Sequence, residues 1–313
     1  MTPVRLTSTK YGKEGVRVLR VVKDGDWHQV AEYTISVFLE GNIETSFSQA
    51  DNSVVVATDS MKNTVNVFAK KSPHVLVPQL FAIQLAQHFI KEYDHIHRST
   101  IKIVSHRWSR IPIDSKPHPH SFIRDGNDTL QIEAVASLVN GSTSVKLVSG
   151  FKDLLVLKST GSGFENFIRD KWTTLNEVSD RILSTSIDCS YEIDLRENSS
   201  LRKGAPIEDN DGLGIDFKEL DQSVRETTLE TFANDKSASV QATVFKMCRI
   251  ILNDQRHIRC ISYRLPNKHY VPVDLSWHEN IQNTFVKDAE VFLPLESPAG
   301  LITATVSRED DCS

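Results

Sequence analysis

Val16 to Val22 and Gln29 to Leu39 are rich in β-branched residues, Ile35, Val37 and Leu39 alternate with polar neighbours, and Asp24-Gly25-Asp26 separates the two runs. Period-two spacing around a Gly-containing turn predicts a β-hairpin. From Asp59 the period lengthens toward that of a helix. Pro78 to Tyr93 places Phe81, Leu85, Ala86, Phe89, Ile90 and Tyr93 on one stripe, which predicts an amphipathic helix entered through a proline. Ile101 to Trp108 and Thr129 to Val139 return to strand spacing, and the Pro- and His-rich stretch Ile111 to His120 is expected as a loop between them. The first half therefore reads β-β-α-α-β-β.

The same order recurs. Strands are expected near Thr143 to Val148, Leu154 to Lys158 and Ile187 to Ile193, helices near Ser223 to Ala233 and Ser239 to Asn253, and strands again at Ile258 to Leu265, His269 to Leu275 and Leu301 to Val306. In the second of these helices Val240, Val244, Met247 and Ile251 form the apolar stripe, with Lys246 and Arg249 facing water. Two tandem copies, residues 1–140 and 141–313, make an α+β chain in which paired helices cover one face of an antiparallel sheet. The polar run Arg196 to Gly214 is expected as one long solvated loop.

Composition narrows the function more than the fold. The 313 residues are 39% hydrophobic, enough for one large core or two domains. A net charge of −5 with Lys and Arg scattered along the chain leaves no basic stripe for nucleic acid. No apolar run is long enough for a membrane span, and the N-terminus lacks the apolar core of a secretory signal, so a soluble, unsecreted protein is expected. Cys189, Cys248, Cys260 and Cys312 stand far apart, which predicts reduced thiols and neither a disulfide framework nor a thiolate zinc site. Gly-x-Gly-x-x-Gly after a strand, a Walker-type loop and His-Glu-x-x-His are all missing, which removes dinucleotide, nucleoside-triphosphate and zincin readings.

What remains is a scattered set of side chains suited to a flat, anionic, hydrogen-bonding heterocycle. Phe164 offers a stacking face and Arg181 a planar fork matching a carbonyl beside a ring nitrogen, although each also has an ordinary use, in a core or in a surface ion pair. Gln241, near a predicted helix start, carries both donor and acceptor and can read a ring edge, or can be a solvated helix residue. Thr58 and Asp59 sit where a strand is expected to give way to a helix, so either is also an N-cap candidate. Lys13 precedes the first expected strand. Asn267 and His269 alternate along an extended segment and project to one side. His95-Ile96-His97 and His118-Pro119-His120 have spacing that suits metal ligands, but no third ligand stands at a recognisable spacing, so hydrogen-bonded loop histidines compete with that reading.

These residues sit in seven ordered motifs: Tyr11-Gly12-Lys13; Val56-Ala57-Thr58-Asp59-Ser60 with Lys62-Asn63-Thr64; Leu157-Lys158-Ser159-Thr160 with Phe164; Thr173-Thr174-Leu175; Asp180-Arg181-Ile182-Leu183-Ser184-Thr185; Ser239-Val240-Gln241-Ala242-Thr243; and Leu265-Pro266-Asn267-Lys268-His269-Tyr270. Together they resemble the urate oxidase family, from Tyr11 to about Val306. The resemblance implies the tunnelling fold, tandem β-β-α-α-β-β units assembling into a multimeric barrel, here a homotetramer with sites between subunits. It implies oxidation of urate by O2 and water without a metal, flavin or other cofactor. Arg181 and Gln241 would grip the purine edge, Phe164 would stack on it, and Leu175 and the Val240 backbone would complete the pocket. Lys13, Thr58 and His269 would relay protons, Asn267 with Thr58 would hold oxygen and then water, and Asp59 would touch the far edge, with Thr58 and Asp59 coming from a neighbouring subunit. The resemblance also points to the peroxisome. Asp310-Asp311-Cys312-Ser313 does not match the Ser-Lys-Leu address, which leaves a cytosolic or truncated form open. The alternatives are a metal-dependent pterin or purine enzyme on the same fold and a purine-binding protein without turnover.

Overall fold

The computed structural model describes residues 4–195, 207, 212–284 and 289–308. It is an α+β protein that divides into two compact units, one of residues 1–150 and 191–221, the other of residues 151–190 and 222–313.

In the first unit β1 (Tyr11–Asp24) and β2 (Trp27–Gly41) form the expected antiparallel hairpin, β2 pairs antiparallel with β3 (Ile96–His106), and β3 with β6 (Thr129–Val139). The beginning of β7 (Ser142–Lys158) follows β6 in the sheet order. Alternation decides which face of β2 is covered: Ala31, Tyr33, Ile35, Val37 and Leu39 are buried and their neighbours are not. After a short helix α1 (Glu44–Ser48), α2 (Thr58–Lys71) turns Met61, Val65 and Ala69 inward. α3 (Pro78–Glu92) departs from the amphipathic expectation. Gln79, Leu80, Phe81, Ala82, Ile83, Gln84, Leu85, Ala86, Phe89 and Ile90 are all buried, so this helix is enclosed on most of its sides. Its two buried polar residues are hydrogen-bonded, Gln79 to Ser149 at 3.0 Å and Gln84 to Ser72 at 2.5 Å, as burial requires.

The stretch expected as a Pro- and His-rich loop is a two-stranded ribbon, β4 (Trp108–Ile113) with β5 (Lys116–Arg124), turning at Asp114 and Ser115, both at positive φ. Periodicity missed it because an exposed ribbon has no buried face to impose alternation. Arg110 organises it, stacking 3.7 Å from the Trp27 ring centre and donating to the carbonyls of His118 and Pro119.

In the second unit the remainder of β7, β8 (Leu183–Ile193) up to Ser190, and β9 (Ile258–Pro272) lie side by side, and β10 (Phe292–Leu295) and β11 (Leu301–Ser307) both pair antiparallel with β9. β7 and β9 are single long strands where two short ones each were expected. α4 (Phe217–Asn234) and α5 (Val240–Asp254) are the remaining α-helices among the described residues. In α5 the expected stripe of Val240, Val244, Met247 and Ile251 is buried together with Thr243, Cys248 and Leu252, while Lys246 and Arg249 face water. Cys189 and Cys248 are buried free thiols and Cys260 is partly exposed. Of the expected long loop Arg196 to Gly214, only Ile207 and residues 212–214 fall within the described residues, where the Ile207 N–H donates to Gln87 at 3.1 Å. Among the described residues no helix is long and apolar enough to cross a membrane.

Candidate active site

The second unit holds a cavity of about 460 Å³ whose lining includes Arg181, Asn267, His269, Tyr270 and Phe292. Asn267 and His269 stand two apart on β9, the spacing that keeps both on one side of a strand. The Asn267 N–H donates to the Gly300 carbonyl at 2.8 Å, which fixes its backbone. Its side-chain Oδ1 is buried and has no hydrogen-bond partner among the described residues. An amide oxygen left that way costs about 1–3 kcal/mol, a cost that a bound donor would relieve.

Arg181 reaches the same cavity from the segment preceding β8. Its N–H donates to the Ser162 carbonyl at 2.7 Å, and its guanidinium lies 5.3 Å from the centre of the Phe164 ring. Burial lowers its affinity for the proton, and Nε is buried without a partner among the described residues. Arg107 shows the usual alternative: against the same effect of burial, Asp128 and Asp125 push that guanidinium upward. Arg181 stays cationic at any ordinary pH. A desolvated cation whose donors are not consumed by an acid is suited to a planar anion.

Phe164 is half-buried, so its ring is no core residue. Its backbone exchanges both hydrogen bonds with Val178, at 2.7 and 3.1 Å, and its ring stacks on Phe167 at 4.7 Å. The same loop is tied to the start of α5, because Gly163 donates to the Ser237 carbonyl and Ser237 to the Gly161 carbonyl, both at 3.0 Å. Ser239 caps α5 by accepting from the Ala242 N–H and donates to Gln241 Oε1 at 2.9 Å. Gln241 therefore occupies the exposed first turn, whose free N–H groups favour negative charge, with Val240 buried beside it. Leu175 lies half-exposed outside this cavity lining, its carbonyl accepting from Arg169 at 2.7 Å.

The other three candidates belong to the first unit. Lys13 lies inside β1, whose pairing begins at Tyr11, and the register with β2 shifts between Lys13 and Val16. Such a bulge re-aims neighbouring side chains. Gly12 is required there because a Cβ would fall 1.9 Å from the Val37 carbonyl oxygen. Thr58 is the first residue of α2 and follows an extended segment and a short turn of 3-10 helix, not the expected strand. The N-cap is Ala57, without a side-chain hydrogen bond, so neither Thr58 nor Asp59 caps the helix. Asp59 accepts from Lys62 at 2.6 Å and from Asn63 at 2.9 Å. Lys62 first, then Asn63 and the charge of Lys13, hold its carboxyl below the ordinary carboxylate range. Lys13 and Asp59 are thereby placed near one another. The Tyr11 hydroxyl, accepting from the Val56 N–H at 2.8 Å, ties β1 to the approach of α2, a link that no spacing in the sequence signalled.

The histidine pairs are used locally. His95 bonds the Val54 carbonyl and His97 the Asn42 side chain, both at 2.9 Å, while His118 and His120 pack ring to ring at 4.6 Å.

A model of the family described as Uricase matches residues 9–134 and 147–303. A uricase of Aspergillus flavus is 47% identical over 304 residues, covering 96% of each chain, and one of Schizosaccharomyces pombe is 43% identical over 301 residues with the same coverage. Among solved structures, a uricase of Arthrobacter globiformis aligns over 98% of this chain and 96% of its own, at 33% identity and a TM-score of 0.84.

Proposed function

We propose, because this chain belongs to the uricase family, that its reaction is the oxidation of urate by O2 and water to 5-hydroxyisourate and hydrogen peroxide, carried out by the side chains described above. The single observation that carries the assignment to this cavity is that Arg181, desolvated, unpartnered at Nε among the described residues and set over Phe164, lines it together with Asn267, whose Oδ1 also has no partner among the described residues. A flat urate anion supplies the acceptor that Arg181 lacks, and desolvation strengthens their attraction.

In this reading Arg181 and Gln241 hold the purine edge, Phe164 covers its face, and Leu175 and the Val240 backbone close the pocket. The electrons come from the substrate. Removal of a proton leaves an electron-rich ring able to pass two electrons to O2, which departs as peroxide once two protons are supplied, and water adds at C5. Lys13, Thr58 and His269 move those protons, since a hydroxyl between two basic groups can donate and accept in turn. Asn267 and Thr58 hold oxygen and then water above the ring, and Asp59 reaches the far edge through its backbone.

Thr58 and Asp59 are assigned to a neighbouring subunit, and Lys13, whose charge acts on Asp59, accompanies them. The assembly is then a homotetramer that a single chain cannot replace, since a monomer presents part of each pocket. The tandem repeat is placed at residues 1–140 and 141–313, meeting at the turn where Asn140 and Gly141 both have positive φ. Peroxisomal residence is the compartment associated with the family, and a cytosolic form is the alternative.

Chelator-treated, flavin-free protein is mixed with urate in air while urate absorbance and peroxide are followed together. One peroxide per urate consumed is expected. Urate left intact would overturn the reaction, and binding without peroxide would leave only a purine receptor.

A further inference from the structure

Asp180 is the immediate neighbour of Arg181, and an acid beside a substrate-binding cation ought to compete with an anionic substrate. Its carboxylate is otherwise engaged. Oδ2 accepts from the Thr160 hydroxyl at 2.5 Å, and Oδ1 from the Gly161 N–H at 2.7 Å and the Ser162 N–H at 3.4 Å. Those three donors belong to one tight turn in which Gly161 has φ +75°, followed by Gly163, where a Cβ would meet the Ser179 carbonyl at 2.9 Å. The turn in turn accepts the Arg181 N–H at the Ser162 carbonyl and leads into Phe164. The lowered proton affinity of the Asp180 carboxyl has these groups as its causes, Thr160 first and then, against burial, the N–H groups of Gly161, Ser162 and Arg181. An ion pair with Arg181 would have raised that guanidinium, whereas burial alone acts on it.

We infer that Asp180 is a positioning residue for the substrate clamp: its carboxylate gathers residues 160–162 beneath Arg181 and Phe164, which sets the spacing of fork and ring and leaves the Arg181 charge free for the substrate. The inference rests on the proposed urate-binding role of Arg181. Asp180 is required as a multiple acceptor, and its negative charge is incidental. That distinction makes it testable, because asparagine keeps an acceptor for the Gly161 and Ser162 N–H groups whereas alanine keeps none.

The test is steady-state urate oxidation by the full-length protein and by Asp180→Ala, Asp180→Asn, Thr160→Val, Arg181→Ala and the Asp180→Ala/Arg181→Ala pair, with a thermal unfolding midpoint for each. Misplacing a clamp by a fraction of an ångström costs on the order of tenfold, so Asp180→Ala is expected to raise KM about tenfold with kcat within about threefold of the parent. Asp180→Asn should stay within about threefold in both constants, and Thr160→Val, which deletes one of the three donors, should raise KM about threefold. In the Arg181→Ala background the Asp180→Ala change should add less than about twofold, since the fork is gone and only the Phe164 face remains to be positioned. An unchanged KM in Asp180→Ala, a full additional loss in the double variant, or Asp180→Asn as impaired as Asp180→Ala would each overturn the inference. Should Asp180→Ala fail to fold, Thr160→Val with and without Arg181→Ala decides by the same criteria. A parent protein that leaves urate intact, or an Arg181→Ala variant with unaltered KM, would instead overturn the proposed function and this inference with it.

Discussion

Asp221 in the first unit and Arg181 in the second are both ionisable side chains drawn out of water, and their surroundings treat them in opposite ways. The Asp221 carboxylate is enclosed by donors, although the residue as a whole keeps some surface. It accepts from Gln79 at 2.8 Å, from Ser149 at 3.0 Å and from the Tyr191 hydroxyl. Burial pushes its carboxyl up to about 6, and the three donors restrain the rise. Among the described residues Arg181 has its Nε unsatisfied, and burial alone acts on its charge. A polar group whose bonds are completed within its own unit has a structural use; one left incomplete beside a cavity is a candidate for ligand binding, the use proposed for Arg181.

Removing Asp221 should produce the largest change in stability and little change in catalysis. Asp221→Ala strands three buried donors and should cost about 3 kcal/mol, read as a lowered unfolding midpoint, with KM for urate unaltered. A loss of substrate affinity without a loss of stability would erase the contrast between the two residues. The same group sets a pH dependence. Its folded value of about 6 lies above the ordinary 3.8, so the folded protein holds this proton longer than the unfolded chain. Its contribution to stability therefore falls as pH rises from about 4 to about 6, by roughly 3 kcal/mol in all, and is level above that. Asp221→Asn should flatten this part of a midpoint-against-pH curve.

Next in size come the residues proposed to move protons. His269→Ala and Lys13→Ala should each lower kcat about 100-fold while leaving the unfolding midpoint close to the parent, and equal, negligible effects at both would refute the relay. Arg181→Ala should raise KM about 30-fold, the worth of one charge-assisted interaction, and should not destabilise the unliganded protein, because no partner is stranded. A lower midpoint in that variant would show that Arg181 is a structural residue after all. The smallest effect belongs to Lys62→Ala. It removes an exposed partner of Asp59 and should leave the midpoint unmoved, since exposed ion pairs contribute little.

Residue pattern alone identified the β1–β2 hairpin, the α5 stripe and the strand character of residues 258–265, because each buries one face and a buried face imposes a period. Periodicity misjudged α3, enclosed on most sides, and the β4–β5 ribbon, enclosed on neither. The fit of β7 and β9 as unbroken strands was equally hidden, since Ser149 to Asp153 and Pro266 to Lys268 break the alternation by which a strand is read. Motif order pointed to Arg181, Phe164, Gln241, Asn267 and His269, but the seats of these residues were not legible. No pattern in the sequence showed that Asp180 gathers the donors of residues 160–162, that Ser239 caps α5 by accepting from Ala242, or that the Tyr11 hydroxyl accepts from Val56.

The linear chain thus determined the period of each element and the chemical kinds of side chain available, both of which depend on neighbours a few positions away. Tertiary structure decided which polar atoms are satisfied. The Arg181 segment and β9 lie dozens of residues apart, and only their meeting makes Arg181 and Asn267 line one cavity, each with an unpartnered polar atom among the described residues, while the donors around Asp221 close on themselves. Hydrogen bonding is short-ranged and directional, so this distinction exists only once distant segments have met in space.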